Sequence, residues 1–180
     1  MRKEKNLVRK IGIFGGTFDP PHKGHIQIAN FSIKKLKLDH LIWAITSKNP
    51  LKKKPFLPIK TRVLLSKKIT AKNKKIKIRN YDNFLKSGKT IKLIKFLKDK
   101  NSRSKLYFIM GSDNLIKFHK WNDWKKIPDL CNIVVFPRSG YFKKTLTSKA
   151  YKILKKTKII FLKSRIANIS SSKIRKNYLI

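Results

Sequence analysis

Short runs of β-branched and other apolar residues recur along this chain, and between them lie longer stretches whose apolar positions fall three and four apart. The short runs predict strands at 10–14, 40–46, 75–79, 105–110, 132–136 and 158–162. The longer stretches predict helices at 24–37, 59–72, 89–100, 113–119, 122–130, 145–155 and 171–178. In the first of these, Ile26, Ala29, Ile33 and Leu36 form a single apolar stripe. Strands alternating with helices build an α/β structure, a doubly wound and mainly parallel sheet with helices on both faces. No internal repeat or Gly/Ser-rich linker divides the pattern, so residues 1–180 are expected to form a single domain, with 1–8 as a flexible basic tail. Ligands of such sheets sit outside the carboxyl ends of the strands. That directs attention to 15–21, 47–58, 80–88 and 137–141.

Composition narrows the class. With 180 residues, 41% of them hydrophobic and 11% aromatic, the chain can bury one sizeable core, which excludes disorder as its state. Its longest purely apolar run, 41–45, falls far short of the roughly 20 residues that span a bilayer. The basic N-terminus leads into IGIFGGTF, which stops at Asp19 without a small-residue cleavage site, so no secretion signal and no membrane association are expected. Cys131 has no second cysteine to pair with, as befits a reducing, cytoplasmic location.

Charge is the extreme feature: 47 Lys and Arg stand against 8 Asp and Glu, a formal +39. Two readings compete. Such an excess attracts polyanions, nucleic acid among them. It also follows from an AT-rich coding sequence, which favours Lys, Ile and Asn, and the lysines are spread along the whole chain. Either way, the field favours phosphate-bearing ligands.

The first strand runs into Gly15-Gly16-Thr17-Phe18-Asp19-Pro20-Pro21-His22-Lys23-Gly24-His25, and a helix follows. Two glycines let backbone approach a ligand closely, and the helix start offers unpaired N–H groups and a positive dipole end to phosphate. His22 and His25, three apart, lie on one side of that helix start. The segment is neither a GxGxxG fingerprint nor a GK[ST]-ending phosphate loop. Zinc would need a third ligand, and the remaining Cys131, Glu4 and two other histidines form no cluster. Two solvated histidines on a capped helix are the bland alternative, which the glycines and the proline-rich turn weaken.

Near the C-terminus, serines 170–172 enter a helix with Arg175 in its first turns, placed to clamp an anion; an ordinary capped terminal helix would read the same way. Gly111-Ser112-Asp113 is another strand-end loop opening a helix, where Asp113 serves as an N-cap or as a ligand to a nucleotide. Trp121 and Trp124 are core aromatics or ligand platforms, whereas Trp43 sits inside a strand. The basic, proline-pinned run 49–55 is a mobile flap near the site or a solvated charge run.

The eleven residues from Gly15 to His25 closely resemble the GGTFDPxHxGH signature of the nucleotidylyltransferase superfamily, and specifically of bacterial nicotinate-nucleotide adenylyltransferases. Three further segments resemble that family in the same order. Gly111, Asp113, Leu115, Phe118 and Trp121 fit GxDxLxxFxxW; Arg138-Ser139-Gly140 is similar to its R-x-G turn; and Ile169–Arg175 resembles ISSTxIR, with Ser172 in place of Thr. The resemblance thus covers essentially the whole chain and implies a Rossmann-like fold. One departure stands out: the family's Glu after the third strand is absent, and Lys89 stands where a Tyr precedes Thr90.

The resemblance implies transfer of AMP from ATP to nicotinate mononucleotide, giving nicotinate adenine dinucleotide and pyrophosphate in NAD biosynthesis. It assigns His22, His25 and Lys23 to catalysis. ATP and its phosphates fall to Gly15, Gly16, Thr17, Phe18, Ser171, Ser172, Arg175, Gly111, Asp113 and Arg138. The mononucleotide falls to Thr90, on the segment that reads its carboxylate, and to Trp121, whose ring lies against the pyridine. Mg2+ is expected on the triphosphate with no protein metal site. The expected partners are ATP and the mononucleotide, with no specific nucleic acid and with room for a homo-oligomer. A phosphopantetheine adenylyltransferase would share the histidine segment, and a basic nucleic-acid-binding protein would explain the charge, though no motif of the latter class is present.

Overall fold

The computed structural model describes residues 8–49, 51, 54–154, 159–163 and 170–176. Its strands are β1 (Lys10–Gly16), β2 (His40–Ile45), β3 (Ile76–Arg79), β4 (Lys105–Gly111), β5 (Asn132–Phe136) and β6 (Ile159–Phe161). They form one six-stranded sheet in the order β3-β2-β1-β4-β5-β6, with every pair parallel. Parallel strands are buried on both faces, which is why they appear in the sequence as near-continuous apolar runs. The helices are α1 (Lys23–Leu36), α2 (Ile59–Thr70), α3 (Thr90–Lys100), α4 (Ser112–Lys117), α5 (Ile127–Leu130), α6 (Phe142–Thr147), α7 (Lys149–Leu154) and α8 (Ser171–Lys176).

Two apolar layers cover the sheet. On one face Ile28, Ala29 and Ile33 of α1, with Ile59 and Val63 of α2, pack on Phe14, Trp43, Ile78 and Ile109. On the other, Ile91, Ile94 and Leu97 of α3 and Leu115 of α4 pack on Ile13, Ala44, Phe108 and Val135. The stripe read in α1 is the buried one. Gly12 is needed under the turn into β2, because a Cβ there would meet Leu38 Cδ1 at 2.6 Å. The order of strands reverses between β1 and β4, and that reversal opens a crevice at their carboxyl ends.

Six strands and an α/β doubly wound sheet match the sequence reading, and the differences lie at element ends. β1 runs on to Gly16, so both glycines belong to the strand end. The helix expected at 122–130 is only a 3₁₀ turn (Trp124–Lys126) and α5, because Asp123 is left-handed at φ 49. The helix expected at 145–155 is split into α6 and α7 by extended backbone at Ser148. The helix at 113–119 starts one residue earlier and tightens into a 3₁₀ turn at Phe118–Lys120. The tail at 1–7, the flap residues 50, 52 and 53, and Ile169 of the C-terminal motif lie outside the described residues. Among the described residues no helix is long and apolar enough to cross a membrane.

One buried cation ties the loops together at the carboxyl edge. Arg62, on the inner side of α2 and only 2% exposed, donates to the carbonyls of Leu57 (3.0 Å), Thr17 (2.6 Å), Thr46 (2.8 Å) and Ser47 (3.0 Å). Burial works against its charge, while Asp19 and Asp82 favour it. Replacing it with Met removes the donor from four half-buried carbonyls at once. We expect Arg62→Met to cost at least about 3 kcal/mol in denaturant unfolding, on the scale of breaking a buried charged network. A loss below about 1 kcal/mol would show that the loops hold without it.

Candidate active site

The turn after β1 is built from the core outward. Phe18 takes a left-handed backbone, φ 47, which a bulky residue adopts only when held there. Its ring is 3% exposed and wedged against Phe14, Trp43 and His25, at centroid distances of 5.2, 4.5 and 5.0 Å. The Phe18 side chain is therefore core, and an ATP contact there falls to the backbone. Asp19, buried next to it, accepts the N–H groups of Phe56 (2.7 Å) and Leu57 (2.9 Å). These bonds fasten the segment before α2 to the β1–α1 turn.

His22 and His25 open α1. Their rings stack at 3.7 Å between centroids, with 26° between planes. The His22 backbone N–H donates to His25 Nδ1 at 3.3 Å, so the proton of a neutral His25 sits on Nε2. His22 is 8% exposed; its ring faces the His25 backbone N–H across the capping box that opens α1, but neither ring nitrogen completes a well-formed hydrogen bond. Burial, reinforced by the nearby Arg138 cation, lowers its pKa from 6.5 to about 4, so the ring is neutral near pH 7. A neutral imidazole buried with both nitrogens unpaired costs about 1–3 kcal/mol, and sites that tolerate such a cost are commonly ligand sites. Lys23 is exposed at the first position of the helix.

α8 comes back against the same turn from 150 residues away in sequence. Ser171 Oγ donates to the carbonyl of Pro20 at 2.9 Å. Arg175 donates to the carbonyl of Asp19, lies 3.6 Å from its carboxylate and donates to Ser172 Oγ at 3.1 Å. On the β4 side, Arg138 Nε is 3.5 Å from Asp113 Oδ1, an atom otherwise unpaired and buried. Ser112 Oγ accepts the Arg138 backbone N–H at 2.9 Å, fixing the β5 loop to the start of α4. A Cβ at Gly111 would lie 2.5 Å from Asp113 Oδ1, so a side chain there would push the Asp113 carboxylate from its place beside Arg138.

Across β1 lies a cavity of about 800 Å³. Its floor is the strand ends at Gly15, Gly16, Thr17 and Ala44, and its walls include Tyr81, Thr90 and Trp121. Trp121 packs edge-on against Phe108 and Phe118, at 6.0 and 5.1 Å, whereas Trp124 is buried core. Lys48, Lys86, Lys89 and Lys120 also line the cavity. Its one carboxylate, Asp82, already accepts Thr46 Oγ (2.8 Å) and the Ser47 N–H (2.6 Å). The space suits a flat, anionic ligand.

The expected residues thus fall into two groups around the end of β1. His22, His25, Lys23, Ser171, Ser172 and Arg175, with Asp113 and Arg138 beyond them, gather at the crevice; Thr90 and Trp121 line the cavity; and Gly15, Gly16 and Thr17 lie between. Sequence reasoning missed Arg62 and Asp82, and it quoted Asp19 without giving it a task. A signal for Arg62 was present: only eight of the 47 basic residues are Arg, so a retained guanidinium marks a place where a planar multi-donor group is needed. Cys131, whose thiol burial pushes up to about 12, has no part in the chemistry. Among the described residues no group of three or more His, Cys, Asp or Glu could hold a metal ion.

Comparison with known proteins bears on the family and the fold. The cytidylyltransferase-like family model matches residues 13–177. A relative from Pelagibacter ubique, named "Probable nicotinate-nucleotide adenylyltransferase", is 46% identical over 98% of this chain and 99% of its own. One of the same name from Clostridium novyi is 38% identical over 93% of this chain and 86% of its own. In fold, the chain is similar to Plasmodium falciparum nicotinic acid mononucleotide adenylyltransferase complexed with NaAD. The TM-score is 0.73 with 23% identity, covering 93% of this chain and 83% of that one.

The depressed pKa of His22 has a measurable consequence. As pH falls from 6.5 towards about 4, the unfolded chain takes up a proton that folded His22 refuses, so stability is lost across that window. His22→Asn removes this component. Thermal melts should show the variant losing less stability than wild type over the same window. Parallel losses in both would contradict the buried, neutral state of the ring.

Proposed function

The chain belongs to the cytidylyltransferase-like family and, within it, to the nicotinate-nucleotide adenylyltransferases, and from that membership we propose the reaction of ATP with nicotinate mononucleotide to give nicotinate adenine dinucleotide and pyrophosphate. The observation that carries the assignment of its site is His22, a buried imidazole with two unpaired nitrogens, stacked on His25 at the switch point of the sheet. Such a pair suits the oxygens of a polyphosphate.

The mononucleotide enters the cavity with its pyridine ring on Trp121 and its carboxylate towards Thr90 and the lysines. Its phosphate then reaches the strand ends at Gly15, Gly16 and Thr17, beside the α-phosphorus of ATP. A phosphate oxygen attacks that phosphorus in line; the new P–O bond forms as the bond to the β-phosphate bridging oxygen breaks, and pyrophosphate departs with that electron pair. The attacking monoester is already anionic, so no general base is required, and a chain with eight carboxylates can perform the step. Catalysis consists of alignment and of donors placed where charge develops. His22, His25 and Lys23 meet the α- and β-phosphates. Ser171, Ser172 and Arg175 hold the distal ones, and Asp113, Arg138 and Gly111 take the adenosine side. A divalent cation, which we take to be Mg2+, is carried on the triphosphate oxygens and neutralises their charge. In this reading the partners are the two small molecules, the compartment is the cytoplasm, and the lysine excess is a background field.

The test is pyrophosphate release from Mg-ATP with nicotinate mononucleotide and nicotinamide mononucleotide offered separately. We expect the acid to be preferred at least about tenfold, one charge-assisted contact's worth of discrimination. His25→Ala should lower turnover about 100-fold or more with its melting temperature preserved, as when an oriented donor is removed. No release with either acceptor would overturn the reading, and near-normal turnover in His25→Ala would remove its assigned role.

A further inference from the structure

Asp19 stands at the junction of three chain segments, and none of the assignments above uses its side chain. Its Oδ1 accepts the Leu57 N–H and its Oδ2 the Phe56 N–H, at 2.9 and 2.7 Å. Oδ2 is also 3.6 Å from Arg175 Nη1, and the same guanidinium nitrogen donates to the Asp19 carbonyl. The opposite edge of Leu57 is held too, because its carbonyl accepts from Arg62 Nε at 3.0 Å. A carboxylate only 5% exposed therefore links the β1–α1 turn, the segment before α2, and α8.

We propose that Asp19 is a positioning residue that presets Arg175 for the triphosphate and couples its occupancy to the ordering of residues 56 and 57. The proposal rests on the adenylyl-transfer reading above. Arg175 has five N–H donors. One is directed at the backbone and carboxylate of Asp19 and one at Ser172 Oγ, which leaves others to meet phosphate oxygens without a change of rotamer. A guanidinium already held in place loses less conformational freedom when phosphate arrives. When phosphate pins Arg175, the arginine in turn pins the carboxylate that holds the Phe56 and Leu57 amides. Linkage makes this coupling reciprocal. Its direct contacts are on the ATP side, since Asp19 itself is not among the residues of the mononucleotide cavity.

Steady-state kinetics on Asp19→Asn, Arg175→Gln and the double variant read the first half of the proposal. Asn keeps the shape and one acceptor oxygen, loses the charge beside Arg175 and Arg62, and leaves one of the Phe56 and Leu57 N–H groups without its acceptor. We expect Asp19→Asn to raise KM for Mg-ATP about tenfold, the scale of one charge-assisted hydrogen bond, while KM for nicotinate mononucleotide changes less than about threefold. The double variant should match Arg175→Gln alone within about twofold, because a residue acting through another has no further effect once that partner is gone. Multiplying penalties, or equal rises in both KM values, would reduce Asp19 to a purely structural role and overturn the proposal.

Hydrogen exchange on the wild-type protein reads the second half even if Asp19→Asn does not fold. Addition of Mg2+ with a non-transferable ATP analogue should slow exchange of the Phe56 and Leu57 amides at least about fivefold. Unchanged exchange with the analogue bound would overturn the coupling. Failure of the underlying reading looks different: the wild-type protein would then release no pyrophosphate at all.

Discussion

The guanidinium of Arg62 is where the loops at the carboxyl edge of the sheet meet. Backbone carbonyls from the turn after β1, the end of β2 and the segment before α2 converge on it, and each takes one of its N–H groups. The constraint is severe because a buried cation is tolerated only when its donors are met and counter-charges are near. Asp19 and Asp82 supply that charge, and each also accepts backbone N–H groups from the loops it neutralises. A frame of this kind is rigid for a physical reason: no one of its members can move without leaving a charge or a carbonyl unpaired.

On that frame the site has two parts that meet at the end of β1. One side holds imidazole, hydroxyl and guanidinium groups against a turn whose backbone is locked by the Phe14–Phe18–Trp43 cluster. The other is a cavity with an aromatic wall and a lysine rim. In the reading proposed above, two phosphate-bearing substrates meet end to end there, with the reacting atoms over the strand ends at Gly15 and Gly16. Electrostatics favours the same outcome. Carboxylates near the site are occupied by backbone N–H groups or by Arg, so nothing negative competes with phosphate, while His22 stays neutral and can both accept and donate.

Much of this was legible in the sequence, and what was not has identifiable causes. Strands buried on both faces leave apolar runs, so all six were found; the α1 stripe likewise gave the buried face. Helix ends in the second half were misjudged where a single residue departs from helical backbone, as at Asp123 and Ser148, which local composition does not announce. The histidine turn and the serine–arginine helix were visible as motifs, yet their contact across 150 residues is a product of the fold. Composition alone reads Trp121 and Trp124 alike; the resemblance singled out Trp121, and packing makes it a cavity wall and Trp124 core. Arg62 was missed because a buried cation on an amphipathic helix looks like any solvated one until its acceptors, all in other segments, are in place.

In the proposed reading the mononucleotide, seated in the cavity, and ATP, held at the histidine turn, meet above the end of β1. A crystal structure with nicotinate adenine dinucleotide bound tests it most directly. The account predicts the pyridine ring against Trp121 inside the cavity, the bridging phosphates over Gly15–Thr17 beside His22 and His25, and the adenosine next to Asp113 and Arg138. A dinucleotide bound in the reverse sense, or with its phosphates away from the two histidines, would contradict it.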